Sequence, residues 1–318
     1  PTNANGYFTG DSLPLKAAFA RSINSIALKL GHECGVAIIA ATAEAMGIKS
    51  KLDKTPSLPL GSSDVNLLEL VNAYSTVIND GKAHEPVLVT RIIDRDGNEI
   101  FVAPSEQKQA IPYRSAYLVQ QLLQGGLREP GGTSMSLWGY IGKFNDTEFG
   151  GKTGTSNNHS DAWFVGVSPK LVVGAWVGGE YRCIHFRTGA LGQGSRTALP
   201  ICGYFLESVL SDPAFKDYHG KFGKPKDESV SSSMYNCASY YRSRQDTDSV
   251  AIDSLARQEV EVMYDEQGNI IHHSKDENLH NENVPATDKT PAEATEPKKP
   301  EATETKKKKK PTYDDVYF

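Results

Sequence analysis

Apolar residues recur at helical spacing through Leu13–Leu30 and Val36–Met46, and again through Leu67–Ile78, which Asp64-x-x-Leu67 leads into. Gly31, Gly47 and Gly81 stand where helices stop. Beyond Gly81 the period shortens. Val87–Ile93 and Glu99–Val102 are rich in strand formers, and Asp96-Gly97-Asn98 between them predicts a hairpin turn. A helical stripe over Tyr113–Leu123 comes next, then strand-forming residues over Lys152–Gly179, then a helix from about Thr197 to Leu210. A helix on each side of a short antiparallel sheet buries both apolar stripes. The predicted class is therefore α+β, an antiparallel sheet flanked by helices, with an all-helical part at the N-terminal side.

The pattern fades beyond about Asp227. Only weak strand signals remain, such as those in Val260–Ile271, so the predicted organisation is a folded domain over 1–226 and an extension over 227–318. Within the extension, Pro285–Pro311 is built from Pro, Ala, Thr, Glu and Lys with a single Asp288, and carries the run Lys306–Lys310 just before its last residue. That composition predicts a solvated tail, its lysines serving solubility. A net charge of -5 gives no reason to expect a nucleic-acid partner. No apolar run reaches membrane-spanning length, since Val36–Ala43 ends at Glu44. There is no signal-peptide pattern, and the chain opens on Pro1 within "PTNANGYFTG", which reads as a mid-domain loop and predicts a piece of a longer protein. Cys34, Cys183, Cys202 and Cys237 form no Cys-x-x-Cys pair. Neither a zinc site nor a disulfide framework follows from them, and no cofactor is expected.

The densest chemistry lies in "FGGKTGTSNNHSDAWFVGVSPKLVVGAWVGG", Phe149–Gly179. A lysine and threonine behind glycines suggest a phosphate loop, but that loop needs a glycine where Asp146 stands and a helix directly afterwards. Strand formers follow instead. What remains is a strand edge carrying Lys152, Thr153, Gly154 and Thr155, with Lys152 and Gly154 on one face and the threonines on the other. Gly154 leaves room for a backbone or a substrate to come close. Nearby, Asp161 reads as a structural turn partner and His159 as a surface loop residue, whereas Trp163 and Trp176 read as core. Gly192-Gln193-Gly194 lacks the strand and helix of a dinucleotide loop and reads as a connection near a cleft.

A possible partner for that edge is Ser22-Ile23-Asn24. A hydroxyl and a carboxamide two residues apart cannot share a face of a regular helix, but a helix end can aim both into a cleft. Taken alone, the pair equally suits a helix cap. Ser-x-Asn followed downstream by Lys-Thr-Gly-Thr is, however, the order found in penicillin-binding proteins and serine β-lactamases. "YFTGDSLPLKAAFARSINSIALKL", "LLELVNAYSTVINDGKAHEPVLVTRIIDRDGNEI" and "GGKTGTSNNHSDAWFVGVSPKLVVGAWVGG" resemble the transpeptidase domain of class A penicillin-binding proteins, over roughly Pro1–Phe215.

The resemblance implies a D,D-transpeptidase that cross-links peptidoglycan stem peptides through an acyl-serine and is blocked by β-lactams. It implies Ser22 as proton relay, Asn24 as hydrogen-bond partner of the substrate amide and of the general-base lysine, and Lys152 as the cation that orients Ser22. Thr153 and Thr155 would contact the substrate carboxylate beside Gly154, and the Thr155 N–H would form half of the oxyanion hole. The implied setting is the extracytoplasmic face of a cell envelope, in a bifunctional protein that also carries a glycosyltransferase. Its membrane anchor would lie upstream of this chain, and other cell-wall synthesis proteins are implied as partners.

One element of the pattern departs. The family's Ser-x-x-Lys belongs before Ser-x-Asn, and none occurs ahead of Ser22. Ser105-Glu106-Gln107-Lys108 matches in letters, but no apolar stripe buries its lysine, and Glu106 opposes the lowered pKa a general base needs. A non-catalytic module binding cell-wall peptide or a protein partner remains an alternative, and a serine β-lactamase is disfavoured by the long tail.

Overall fold

The structure, a computed structural model, describes residues 3, 8, 10, 12–245, 263–264 and 270–271. The tail expected at Pro285–Pro311 lies outside the described residues. Pro1–Glu259 forms one compact unit and Val260–Phe318 a second, in which β8 (Met263–Tyr264) pairs antiparallel with β9 (Ile270–Ile271).

The first unit opens with α1 (Leu15–Ala20), α2 (Asn24–Cys34), α3 (Val36–Ala45) and α4 (Leu67–Ile78). The single run expected over Leu13–Leu30 is thus broken at Arg21–Ile23. Gly31 does not stop a helix as expected. A Cβ there would lie 2.1 Å from Pro59 Cγ, so glycine is required by close packing inside α2, and the stop falls at Gly35, whose φ is +86°. The cap of α4 is Asn66, whose side chain accepts the Leu68 N–H at 2.8 Å, rather than Asp64.

The hairpin forms with its first strand shorter than expected and its second, Glu99–Val102, where expected. Here β1 (Lys82–Ala83) pairs with β4 (Lys108–Gln109), and β2 (Arg91–Ile93) pairs with β3 (Glu99–Val102) across a register irregularity at Ile92–Ile93. Then α5 runs Tyr113–Arg128, five residues past the expected end, because Gly125 and Gly126 continue the helix where they meet neighbours closely. A short α6 (Trp138–Ile141) follows.

The central sheet has the order β5 (Gly150–Thr155), β6 (Asp161–Val167), β7 (Val172–Gly178), all antiparallel. After it come α7 (Gly189–Gly192) and α8 (Ala198–Ser211). The alternation of β6 divides the core. Phe164, fully buried, joins Phe149, Ala175, Leu199 and Leu206 in a cluster under α8, each large side chain worth about 2 kcal/mol of transfer free energy. Val167 joins Leu123, Ala116 and Val77 in a second cluster with α4 and α5. The α+β arrangement predicted from the apolar pattern is present.

Trp176 departs from its expected place in the core. It is 40% exposed, and its indole N–H donates to Asp161 at 3.1 Å, while Trp163 is half-buried. The expected role of Asp161 as a turn partner fits, since it also accepts the Ser160 hydroxyl. The chain beyond Gly223 straps α5. Lys226 bonds the Tyr113 hydroxyl through its N–H and pairs with Asp80. Tyr235 meets Tyr117 edge-on, and Tyr241, in α9 (Ala238–Gln245), donates to the buried Glu129 at 2.8 Å.

Candidate active site

The break between α1 and α2 is a helix C-cap of defined geometry. Ser22 N–H bonds the Phe19 carbonyl at 3.0 Å and Ile23 N–H bonds the Ala18 carbonyl at 3.1 Å, the paired closure of a Schellman motif around Arg21. The residue after the cap in that motif is left-handed and usually glycine. Here it is Ser22, with φ +56°. A serine in this region carries strain of about 1–2 kcal/mol. In return its side chain leaves the helix axis altogether and stands exposed at the turn, with Asn24 as the first residue of α2.

The facing wall is β5, an edge strand. Its glycines bring it against α5: a Cβ on Gly150 would lie 2.9 Å from the Leu123 carbonyl carbon, and one on Gly126 would lie 2.5 Å from Gly151 O. Ser156 N–H bonds Asp161 O at 3.0 Å and so points toward β6. Backbone groups alternate sides along a strand, which turns the N–H and C=O groups of Thr153 and Thr155 to the open edge.

Lys152 joins the two walls. Its ammonium donates to Ser22 Oγ at 2.8 Å and to the Thr153 carbonyl at 2.8 Å, and lies 5.8 Å from the Phe19 ring centroid. Simple alternation puts Lys152 and the threonines on opposite faces of β5. The difference is bridged by the lysine's own length, its stem lying on the α5 face and its head reaching round the edge. Burial pushes its pKa down from the ordinary value to about 8.

The remaining expected residues fall along the same edge. Thr153 donates its hydroxyl proton to Thr133 at 2.8 Å. Gly154 is approached closely by a backbone, that of Gly194, on which a Cβ would lie 2.6 Å from Gly154 O. Gly194 N–H also donates to Thr155 Oγ1 at 3.1 Å, so the Gly192-Gln193-Gly194 connection does lie at the end of β5. His159, expected at the surface, is partly buried at φ +58°, with α7 packed over it. Ser105 and Lys108 lie exposed on the connection from β3 into β4, outside this cleft.

Two participants escaped the sequence reading. Thr133 N–H bonds the Ala20 carbonyl at 3.0 Å, and Arg21 Nε donates to the Pro130 carbonyl at 2.8 Å, so the loop after α5 holds the Ser22 turn. The only sequence sign was the Pro-Gly-Gly-Thr-Ser run, which marks a tight connection without saying what it touches. Among the described residues, no cluster of three His, Cys, Asp or Glu side chains is placed to hold a metal ion, and no single helix is long and apolar enough to cross a membrane.

What this cleft can do chemically is present a hydroxyl, a cation and strand-edge N–H groups to a carbonyl and a carboxylate. Comparison with known proteins points the same way. Residues 9–177 match the family described as the penicillin binding protein transpeptidase domain. Penicillin-binding protein 2D of Bacillus subtilis is 33% identical over 180 residues, covering 56% of this chain and 26% of that protein. Penicillin-binding protein 1A of Rickettsia prowazekii is 32% identical over 235 residues, covering 67% and 28%. The chain thus spans less than a third of the length of these relatives. Among solved structures, penicillin-binding protein 1A from Haemophilus influenzae aligns with a TM-score of 0.61 at 25% identity, over 71% of this chain and 38% of that one. The PonA1 protein of Mycobacterium tuberculosis in complex with penicillin V shares the fold, with a TM-score of 0.58 at 22% identity, over 71% of this chain and 62% of that one. With more than half of its length matched to the family, and with relatives that include penicillin-binding proteins 1A, the chain belongs to the penicillin-binding protein transpeptidase domain family and is similar to its class A members.

Proposed function

We propose that this chain is the C-terminal part of a serine-type peptidoglycan D,D-transpeptidase, carrying one wall of the acyl-transfer site and its oxyanion edge. The observation that supports this most is the 2.8 Å bond from Lys152 to Ser22 beside the open edge of β5. The nucleophile is a Ser-x-x-Lys serine upstream of Pro1. It attacks the penultimate D-alanine carbonyl of a stem peptide, Ser22 passes the proton to the leaving nitrogen, and Lys152 keeps Ser22 oriented. Thr155 N–H stabilises the oxyanion, and the ammonium of Lys152 with the hydroxyls of Thr153 and Thr155 holds the terminal carboxylate. Asn24 bonds the substrate amide. An amino group of a neighbouring stem then takes the acyl group, completing the cross-link.

A β-lactam enters the same site as a mimic of the donor, and the whole protein works at a cell envelope on the extracytoplasmic side. It carries a glycosyltransferase and a membrane anchor upstream, with other cell-wall synthesis proteins as partners. The test is labelled penicillin. The chain of 318 residues should form no stable adduct, and the protein extended upstream should form one. Failure of the extended wild-type protein to acylate would favour a non-catalytic module on the same fold.

A further inference from the structure

The loop from Pro130 to Ser134 leads from the end of α5, whose Gly126 lies against the Gly151 carbonyl of β5, to Leu137, buried with Leu127 in the cluster under α8. Its path has no slack. A Cβ on Gly132 would lie 2.4 Å from Gly126 O, and Ser134 N–H bonds Gly126 O at 3.1 Å. Thr133 is thereby held where its backbone N–H meets the Ala20 carbonyl at 3.0 Å, two residues before Ser22, and its hydroxyl accepts that of Thr153 at 2.8 Å. One residue thus touches both walls of the cleft.

We propose that Thr133 is a positioning residue for the substrate carboxylate, acting through Thr153; this rests on the transpeptidase reading above. A hydroxyl both donates and accepts, so two threonines in contact can reverse their bond without moving a heavy atom. In the free site Thr153 gives its proton to Thr133. When a carboxylate arrives, Thr153 turns that proton to the anion and Thr133 donates to Thr153 Oγ1 in its place. The second bond polarises the first and strengthens it. No bond breaks other than hydrogen bonds, and no proton leaves either oxygen. Valine at this position keeps the shape and the backbone bond to Ala20 but cannot follow the reversal, and Thr153 is left free to rotate.

The experiment compares Thr133→Val and Thr133→Ser with wild type. The probes are an N-acyl-D-Ala-D-Ala dipeptide and its methyl ester, titrated into the 318-residue chain and into the protein extended upstream. Thr133→Val should weaken binding of the carboxylate by roughly three- to tenfold while leaving the ester unchanged, and Thr133→Ser should recover most of the loss. In the extended protein the same factor should appear in the binding step of penicillin acylation rather than in its first-order step. Equal losses for acid and ester, no loss at all, or a wild type without preference for the acid would each overturn the proposal. An extended wild type that prefers the acid and loses that preference in Thr133→Val, yet never acylates, would sink the transpeptidase reading and leave Thr133 its role.

Discussion

Lys152 and Ser22 meet at 2.8 Å although 130 positions separate them, and each arrives by an unusual route. Ser22 stands in the left-handed position of a helix-ending motif, and Lys152 reaches round the edge of its own strand to the Thr153 carbonyl. The bond therefore ties the α1–α2 turn to β5, and it can be removed from either end.

Lys152→Ala in the extended protein should lower the rate of penicillin acylation by at least a hundredfold, because the carboxylate and the Ser22 hydroxyl lose the same cation. Ser105→Ala should leave that rate as it was. Stopped-flow acylation with a fluorescent penicillin measures both, and a Lys152→Ala protein that acylates normally would remove Lys152 from the site.

Ser22 separates stability from activity. Ser22→Gly and Ser22→Ala both lose the bond from Lys152, but glycine also relieves about 1–2 kcal/mol of left-handed strain and gives back less than that through the freer unfolded chain, so Ser22→Gly should be more stable than Ser22→Ala by about 1 kcal/mol. Acylation should nevertheless fall, since no hydroxyl remains for Lys152 to hold. Ser22→Ala keeps the strain and loses the same bond. Urea denaturation alongside acylation checks the pair, and a Ser22→Gly protein no more stable than Ser22→Ala would contradict the assigned strain.

The lowered pKa of Lys152, about 8, sets a pH window. The ammonium must be charged to hold a carboxylate. Above pH 8 the free site has lost its proton, so binding the ligand must take one up, and affinity should fall by up to tenfold per pH unit until the pKa of the complex is reached. Below pH 8 the affinity should be flat. Calorimetric titration of a D-Ala-D-Ala peptide from pH 6.5 to 9.5 reads the slope, and Lys152→Arg, charged throughout, should show none.

The contact of α5 with β5 predicts a contrast between two helical glycines. Gly126→Ala places a Cβ 2.5 Å from the Gly151 carbonyl oxygen, where only backbone could give way, and should cost about 1–3 kcal/mol. Gly139→Ala, with nothing within 4 Å, should be neutral or stabilise by up to about 1 kcal/mol. Thermal unfolding of the two variants should move in different directions; similar losses would mean that the helix and strand are less tightly joined than the backbone shows.

Much of this site is legible in the sequence because its chemistry is local. Lys-Thr-Gly-Thr before strand formers predicts a strand edge, and Ser-x-Asn in a helical run asks for a break. The break itself is hidden, since the left-handed residue is Ser22 rather than the glycine that signals such a position. The end of α5 is misplaced in the opposite sense: the stripe predicts a stop at Leu123, yet the helix runs on through Gly125-Gly126, where close packing calls for glycine. Thr133 is marked only as part of a tight connection, because its partners, Ala20 and Thr153, are set by tertiary contact and not by spacing. Trp176 misleads through its size: an aromatic residue in a strand suggests core, yet Asp161 holds it at the surface by its indole N–H.

Where α5 meets β5, the glycines leave backbone against backbone, with no side chain between to change rotamer. Such a joint has no compliance. A displacement of the helix would pass undamped into the strand edge, and a ligand cannot make room for itself by pushing that edge back. On this view β5 is an anvil, and what fits against it is decided by the shape of whatever arrives and not by any retreat of the edge.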